Sequence, residues 1–68
     1  MKIPEKHFHF LTFRTDPESV IWYKITAPFT NRDVYHLYKQ LSKDDFELLG
    51  TSSDPVKLEY KVYEGKFG

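Results

Sequence analysis

Two periods of apolar residues run along the chain, and each predicts a different kind of element. Between Phe29 and Leu41 the apolar side chains recur at i, i+3, i+4 and i+7, which places them on one face of a helix. These positions are Val34, Leu37, Tyr38 and Leu41. Thr30 and Asp33 have the spacing of a reciprocal capping box, and Pro28 separates this segment from the preceding one. The pattern therefore predicts a helix over Phe29–Leu41.

Elsewhere the apolar residues alternate with a period of two, which predicts strands. The predicted strands are His7–Arg14, Ser19–Ala27 and Val56–Glu64, and the turn at residues 15–18 makes the first two an antiparallel hairpin. In the second strand, the cleaner core face carries Ile21, Tyr23, Ile25 and Ala27. Residues 42–49 fit either a second capped helical turn or a short strand, and the pattern does not decide between them.

These elements predict a single α+β domain over residues 1–68. We expect an antiparallel sheet of three to four strands with one helix across one face, in the order ββαβ or ββαββ. The helix would lie over sheet residues such as Ile21, Tyr23, Leu58 and Tyr60. The last four residues are expected to form a fraying tail.

Composition limits how such a domain is stabilised and what it binds. The 68 residues include no cysteine but six Phe, five Tyr and one Trp, so aromatic burial replaces disulfides and a homodimer would hide surplus rings. Ten basic and ten acidic residues balance to zero, which argues against a general nucleic-acid binder. No signal-peptide or membrane-spanning pattern is found, so a cytoplasmic protein is expected.

Few residues suggest chemistry. His7 and His9 share a strand face and could ligate a metal with His36 or a carboxylate as a third ligand, but a partly exposed pair on an edge strand is the simpler interpretation. Asp44 and Asp45 are adjacent, which suits caps and surface positions better than paired acid–base catalysis. We therefore expect no enzyme, no cofactor and no metal.

Exposed aromatic side chains are the stronger functional signal. Tyr35 lies off the predicted helix stripe, Tyr63 lies on the wet face of the last strand, and Trp22 faces away from the core side. Such residues anchor protein interfaces. They could instead stack the bases of single-stranded nucleic acid, although the balanced charge favours a protein partner.

The segments TNRDVYHLY and VKLEYKV resemble parts of the small uracil-DNA glycosylase inhibitors of certain Bacillus phages. Thr30, Asp33, Val34, Leu37 and Tyr38 match the family's helix, and Lys57, Leu58, Tyr60 and Val62 match its last strand. The resemblance implies a dimer whose helices form an apolar slot that captures the leucine a glycosylase inserts into DNA. It implies that Val34 and Tyr38 line this slot and that Asp33 lies at its rim.

The sequence thus predicts a small interaction module that blocks the DNA-binding surface of a host DNA-processing enzyme, possessing no catalytic residues of its own. If the chain is phage-encoded, that enzyme would be met in the host cytoplasm. The predicted partner-binding residues are Asp33, Val34, Tyr35, Leu37 and Tyr38, and the predicted acidic rim is Asp44, Asp45 and Glu47.

Overall fold

The computed structural model describes residues 1–66 and contains, in chain order, four strands and one helix. Their bounds are β1 His7–Phe13, β2 Tyr23–Pro28, β3 Tyr35–Gln40, β4 Phe46–Ser52 and α1 Pro55–Tyr63. The strands form one sheet in the order β1-β2-β3-β4. Every neighbouring pair is antiparallel, so β1 and β4 are the edges of the sheet.

The predicted fold class is confirmed: the protein is α+β, with a four-stranded antiparallel sheet and one helix across one face. Leu58 and Val62 of α1 pack on a core cluster that includes Ile25 and Leu37 from the two central strands and Phe13 from β1. The position of the helix in the chain differs from the expected order, because α1 follows all four strands instead of the second.

The predicted helix over Phe29–Leu41 is wrong, because this segment contains β3. The segment expected to start this helix forms turns instead. The backbone N–H of Asn31 donates to the Pro28 carbonyl at 3.2 Å, and the side chain of Asn31 accepts the backbone N–H of Asp33 at 3.1 Å. Such local bonds compete with a helix start. β3 then pairs with β2 on one side and β4 on the other, which satisfies its backbone along both edges.

The predicted strand over Val56–Glu64 is also wrong, because this segment is helical. The Asp54 side chain accepts the Val56 amide at 3.0 Å, and Pro55 occupies the first turn, which together start a helix. Gly65 has a φ of 74° and donates to Val62, while Lys66 donates to Lys61. This pair of bonds is a Schellman motif, so the described part of the predicted tail caps α1. The last two residues of that tail lie outside the described part of the chain.

Two further predictions concern the other strands. β1 and its antiparallel hairpin with β2 are confirmed. Of the two alternatives for residues 42–49, the structure shows the strand, since β4 runs from Phe46 to Ser52. β2 begins at Tyr23, four residues later than predicted. Residues 14–22 are therefore a connection between strands, and this shift exposes Val20 and Trp22.

The N-terminal segment crosses the sheet. The Met1 carbonyl accepts the amide of Phe46 on β4 at 2.7 Å, and the Lys6 carbonyl accepts the amide of Phe29 beyond β2 at 2.9 Å. Because α1 covers the other face, the residues between these two anchors cross the face opposite the helix. Thr26 and Tyr38 on that face are buried, so the sheet is covered on both sides.

Candidate functional site

An open groove with both apolar and polar lining lies at the end of the sheet where β2 begins and β3 ends. It has a volume of about 260 Å³ and is lined by Val20, Trp22, Gln40, Leu41 and Ser42. Val20 is 90% exposed, and Trp22 and Leu41 are also exposed. Pockets that enclose a small molecule usually span about 300–1,000 Å³. An open groove of this size suits a single side chain of a partner better.

Backbone hydrogen bonds hold the two walls of the groove together. The Gln40 amide donates to the Trp22 carbonyl at 2.9 Å, which continues the β2–β3 pairing beyond the end of β2. The Leu41 amide donates to the Asp45 carbonyl at 2.8 Å, which closes the turn between β3 and β4. These bonds tie the two connections that carry the groove residues to the end of the sheet.

The Trp22 ring is held by a cation. The guanidinium of Arg14 lies 4.7 Å from the ring centroid and also donates to the Ser19 carbonyl at 3.3 Å. Contacts between a cation and an aromatic face are worth about 0.5–1 kcal/mol at exposed sites. The indole is thus oriented before any partner arrives.

The connections that form the groove carry a small excess of acidic side chains. The two connections that form it, residues 14–22 and 41–45, carry four acidic residues and two basic ones. The acidic residues are Asp16, Glu18, Asp44 and Asp45, and the basic ones are Arg14 and Lys43. The N-terminal ammonium of Met1 hydrogen-bonds to Asp45, and this bond together with its charge lowers the pKa of that carboxyl. The groove therefore combines three exposed apolar side chains with a small excess of acidic residues in the connections that form it.

The predicted partner-binding residues do not share one surface. Leu37 and Tyr38 are both buried, and as consecutive residues of β3 they point to opposite faces of the sheet. Asp33 is exposed in the connection before β3, and Tyr35 is half-buried with its ring 5.1 Å from that of Phe10. The slot expected from Val34 and Tyr38 on one helix face is absent in the described residues.

The predicted acidic rim lies beside the groove instead. Asp44 and Asp45 belong to the turn that follows Leu41, and Glu47 is exposed on β4. The sequence pattern identifies Trp22 as a ring that faces away from the core. It misses Val20 and Leu41 as groove residues, because it assigns them to the predicted strand and helix.

Two of the three histidines, His7 and His36, contact each other on the face opposite α1. The rings of His7 and His36 are 4.9 Å apart, and Nδ1 of His7 lies 3.0 Å from Oγ1 of Thr26, whereas His9 hydrogen-bonds to Thr12. Burial, and then the charge of His7, lower the pKa of His36. Within residues 1–66, no group of three or more potential ligands could hold a metal ion.

Comparison with protein-family models, with curated proteins and with solved structures finds no match for this chain. Among the residues described, no helix is long and apolar enough to span a membrane.

Proposed function

We propose that this protein is a protein-binding module that seats an apolar side chain of its partner in the groove at Trp22. The observation that carries the proposal is the groove itself, in which Val20, Trp22 and Leu41 remain exposed around one cavity. Large aromatic anchors in such positions supply most of the binding energy of protein interfaces. The orientation of Trp22 by Arg14 reduces the entropy lost on binding.

The excess of acidic residues in the two connections narrows the class of partner. A complementary surface would present an apolar side chain among basic residues. Enzymes that act on DNA carry such basic surfaces, because they neutralise phosphates. A host DNA-processing enzyme, uracil-DNA glycosylase among the candidates, therefore fits the site as a target for inhibition. The proposal uses the groove with Asp44 and Asp45 nearby, and does not use the buried Tyr38.

Single-stranded nucleic acid is less well supported. The three rings expected to stack bases are Trp22, Tyr35 and Tyr63. Trp22 and Tyr35 lie at opposite ends of the sheet, since Trp22 adjoins Gln40 whereas Tyr35 pairs with Ser52. They do not form one continuous platform, and no excess of basic residues in the two connections beside Trp22 would attract phosphate.

The first test is capture of partners from a bacterial lysate by the tagged full chain, with quantitative mass spectrometry. We expect Trp22→Ala to lose a protein that the wild type enriches, by at least about tenfold, because removal of a central aromatic anchor typically costs about 2 kcal/mol or more. Phe29→Ala is the matched control, since Phe29 is an exposed ring at the other end of the sheet. Equal capture by wild type and Trp22→Ala would contradict the proposal.

A preparation that retains only nucleic acid, with affinity falling steeply as salt rises, would favour the nucleic-acid alternative.

The second test addresses the narrower target. Purified uracil-DNA glycosylase is assayed on a uracil-containing duplex while the protein is titrated in. Dose-dependent inhibition that Trp22→Ala abolishes and Phe29→Ala retains is the expected result. Full glycosylase activity at excess protein would remove this enzyme from the candidates and leave the capture experiment to identify another.

A further inference from the structure

α1 has a second apolar stripe that is largely exposed, although the ring of Tyr63 at its end lies 5.8 Å from that of Phe13 in the core cluster. Val56, Tyr60 and Tyr63 are 54%, 61% and 47% exposed, whereas Leu58 and Val62 are buried. At about 100° per residue, the three exposed side chains form one stripe on the side of the helix opposite the core. A nine-residue helix that is apolar on two sides has one face without a partner.

We propose that this outer stripe of α1, residues Val56, Tyr60 and Tyr63, binds the same stripe of a second copy of the chain, with the two helices antiparallel. The spacing i, i+4 and i+7 is the seam that one helix presents to another. A two-fold axis near Tyr60 would bring each apolar side chain against the stripe of the other copy, as an isologous interface requires.

The charges beside the stripe select the antiparallel arrangement. Lys57 and Glu64 lie on the same flank, near opposite ends of the helix. In an antiparallel pair, Lys57 of each copy faces Glu64 of the other, which gives two attractive contacts. In a parallel pair, Glu59 would approach Glu64 of the other copy, which gives two repulsive contacts.

The charged neighbours on both flanks bear on this arrangement. Glu64 already lies 3.2 Å from Lys66, but this is an exposed pair of low energy, and a carboxylate can accept a second cation. On the other flank Glu59 faces its own equivalent across the axis, which sets one repulsive contact against the two attractive ones.

The size of the stripe sets the expected strength. A stable interface buries about 800 Å² per partner, and three side chains on a short helix provide less than that. We therefore expect a weak dimer with a dissociation constant between about 1 μM and 1 mM. The dimer would leave both grooves accessible, so it would present two binding sites to a partner.

A charge swap tests the proposal. Sedimentation equilibrium is measured on the full chain across the expected concentration range for wild type, Lys57→Glu, Glu64→Lys and the double variant. Each single variant should weaken the dimer by at least about fivefold, and the double variant should restore it, because two coupled pairs are reversed together. Lys57→Glu places a negative charge near the start of α1, and Glu64→Lys places a positive charge near its end. Both charges interact favourably with the helix dipole, so neither change should weaken the helix.

Two control variants separate this interface from a general effect of charge and from the groove. Glu47→Lys makes the same charge change on exposed β4 and should leave the dimer unchanged. Tyr60→Lys should abolish the dimer while it leaves partner capture through Trp22 intact. A wild type that stays monomeric at all concentrations, single variants that dimerise like the wild type, or a double variant as weak as the single ones would each overturn the proposal.

Discussion

At the scale of single residues, two aromatic rings of this protein lie under an arginine side chain. The guanidinium of Arg32 lies 5.3 Å from the ring of half-buried Phe8, as that of Arg14 lies 4.7 Å from exposed Trp22. Each guanidinium covers one face of its ring and limits the rotamers of that side chain. These contacts stabilise two rings that the core does not enclose.

The pair His7 and His36 predicts how stability depends on pH. Because burial and His7 lower the pKa of His36 below 6.5, the unfolded chain binds a proton at His36 more readily than the folded one. The contribution of neutral His36 to the free energy of unfolding is therefore fully present above about pH 6.5. It is lost as the pH falls toward the lowered pKa of His36 in the folded state. We expect the urea midpoint of the wild type to fall between about pH 7 and pH 5.

The variant His36→Gln checks this assignment, because it removes the titrating group and should flatten the dependence over that range. His9→Gln is the matched control, since His9 is exposed and bonds only locally to Thr12. If His9→Gln flattened the curve and His36→Gln did not, His36 would not be the group responsible.

At the scale of elements, the two incorrect predictions are a helix where the chain forms β3 and a strand where it forms α1. Capping residues decide which of the two segments is helical. Asp54 accepts the Val56 amide at the start of α1, whereas Asp33 lies in a connection where Asn31 is the acceptor. We expect Asp54→Ala to lower the free energy of unfolding by about 1 kcal/mol. Asp33→Ala should change it by less than about 0.5 kcal/mol, as surface substitutions do. Urea denaturation of both variants measures the difference, and a larger loss from Asp33→Ala would indicate that the helix begins at Thr30.

The class of fold and the first hairpin could be predicted, because both strands of that hairpin are rich in aromatic or β-branched residues and turn residues lie between them. The prediction failed where one segment carries both periods. Val34, Leu37 and Tyr38 have the spacing of a helix face, but the same side chains also suit a strand that lies between two other strands. In the last element, Leu58 and Val62 fit both a period of two and a helix turn. The flanking residues 54, 55 and 65, an Asp, a Pro and a Gly, were the local signals that favour the helix.

The candidate site was only partly predictable for the same reason. Trp22 could be found from the sequence, because it lies opposite the apolar face of the second strand. The groove also requires that β2 begin at Tyr23 and that β3 end at Gln40. These ends are set by tertiary pairing rather than by residue type, so Val20 and Leu41 could not be assigned to a surface in advance.

At the scale of the whole molecule, three layers contribute to stability: the N-terminal segment, the sheet and α1. One core cluster joins α1 to three strands, and the segment anchored by Met1 and Lys6 covers the other face. This arrangement leaves the groove and the outer stripe of α1 exposed. Trp22 in the groove and Tyr60 on the stripe lie outside the core cluster, so each can be altered while the fold is kept.

The single core makes folding sensitive to one side chain. Leu58 is 1% exposed and lies between α1 and the sheet, so Leu58→Ala should cost about 2–5 kcal/mol. Small domains are stable by about 5–15 kcal/mol, with short chains at the low end, so this variant should be partly unfolded at about 37 °C. Tyr60→Ala is the control, because Tyr60 follows two residues later but points outward. Circular dichroism melts should show a large loss of stability for Leu58→Ala and a change below about 1 kcal/mol for Tyr60→Ala. A helix points residues 58 and 60 in different directions, whereas a strand would place both side chains in the core.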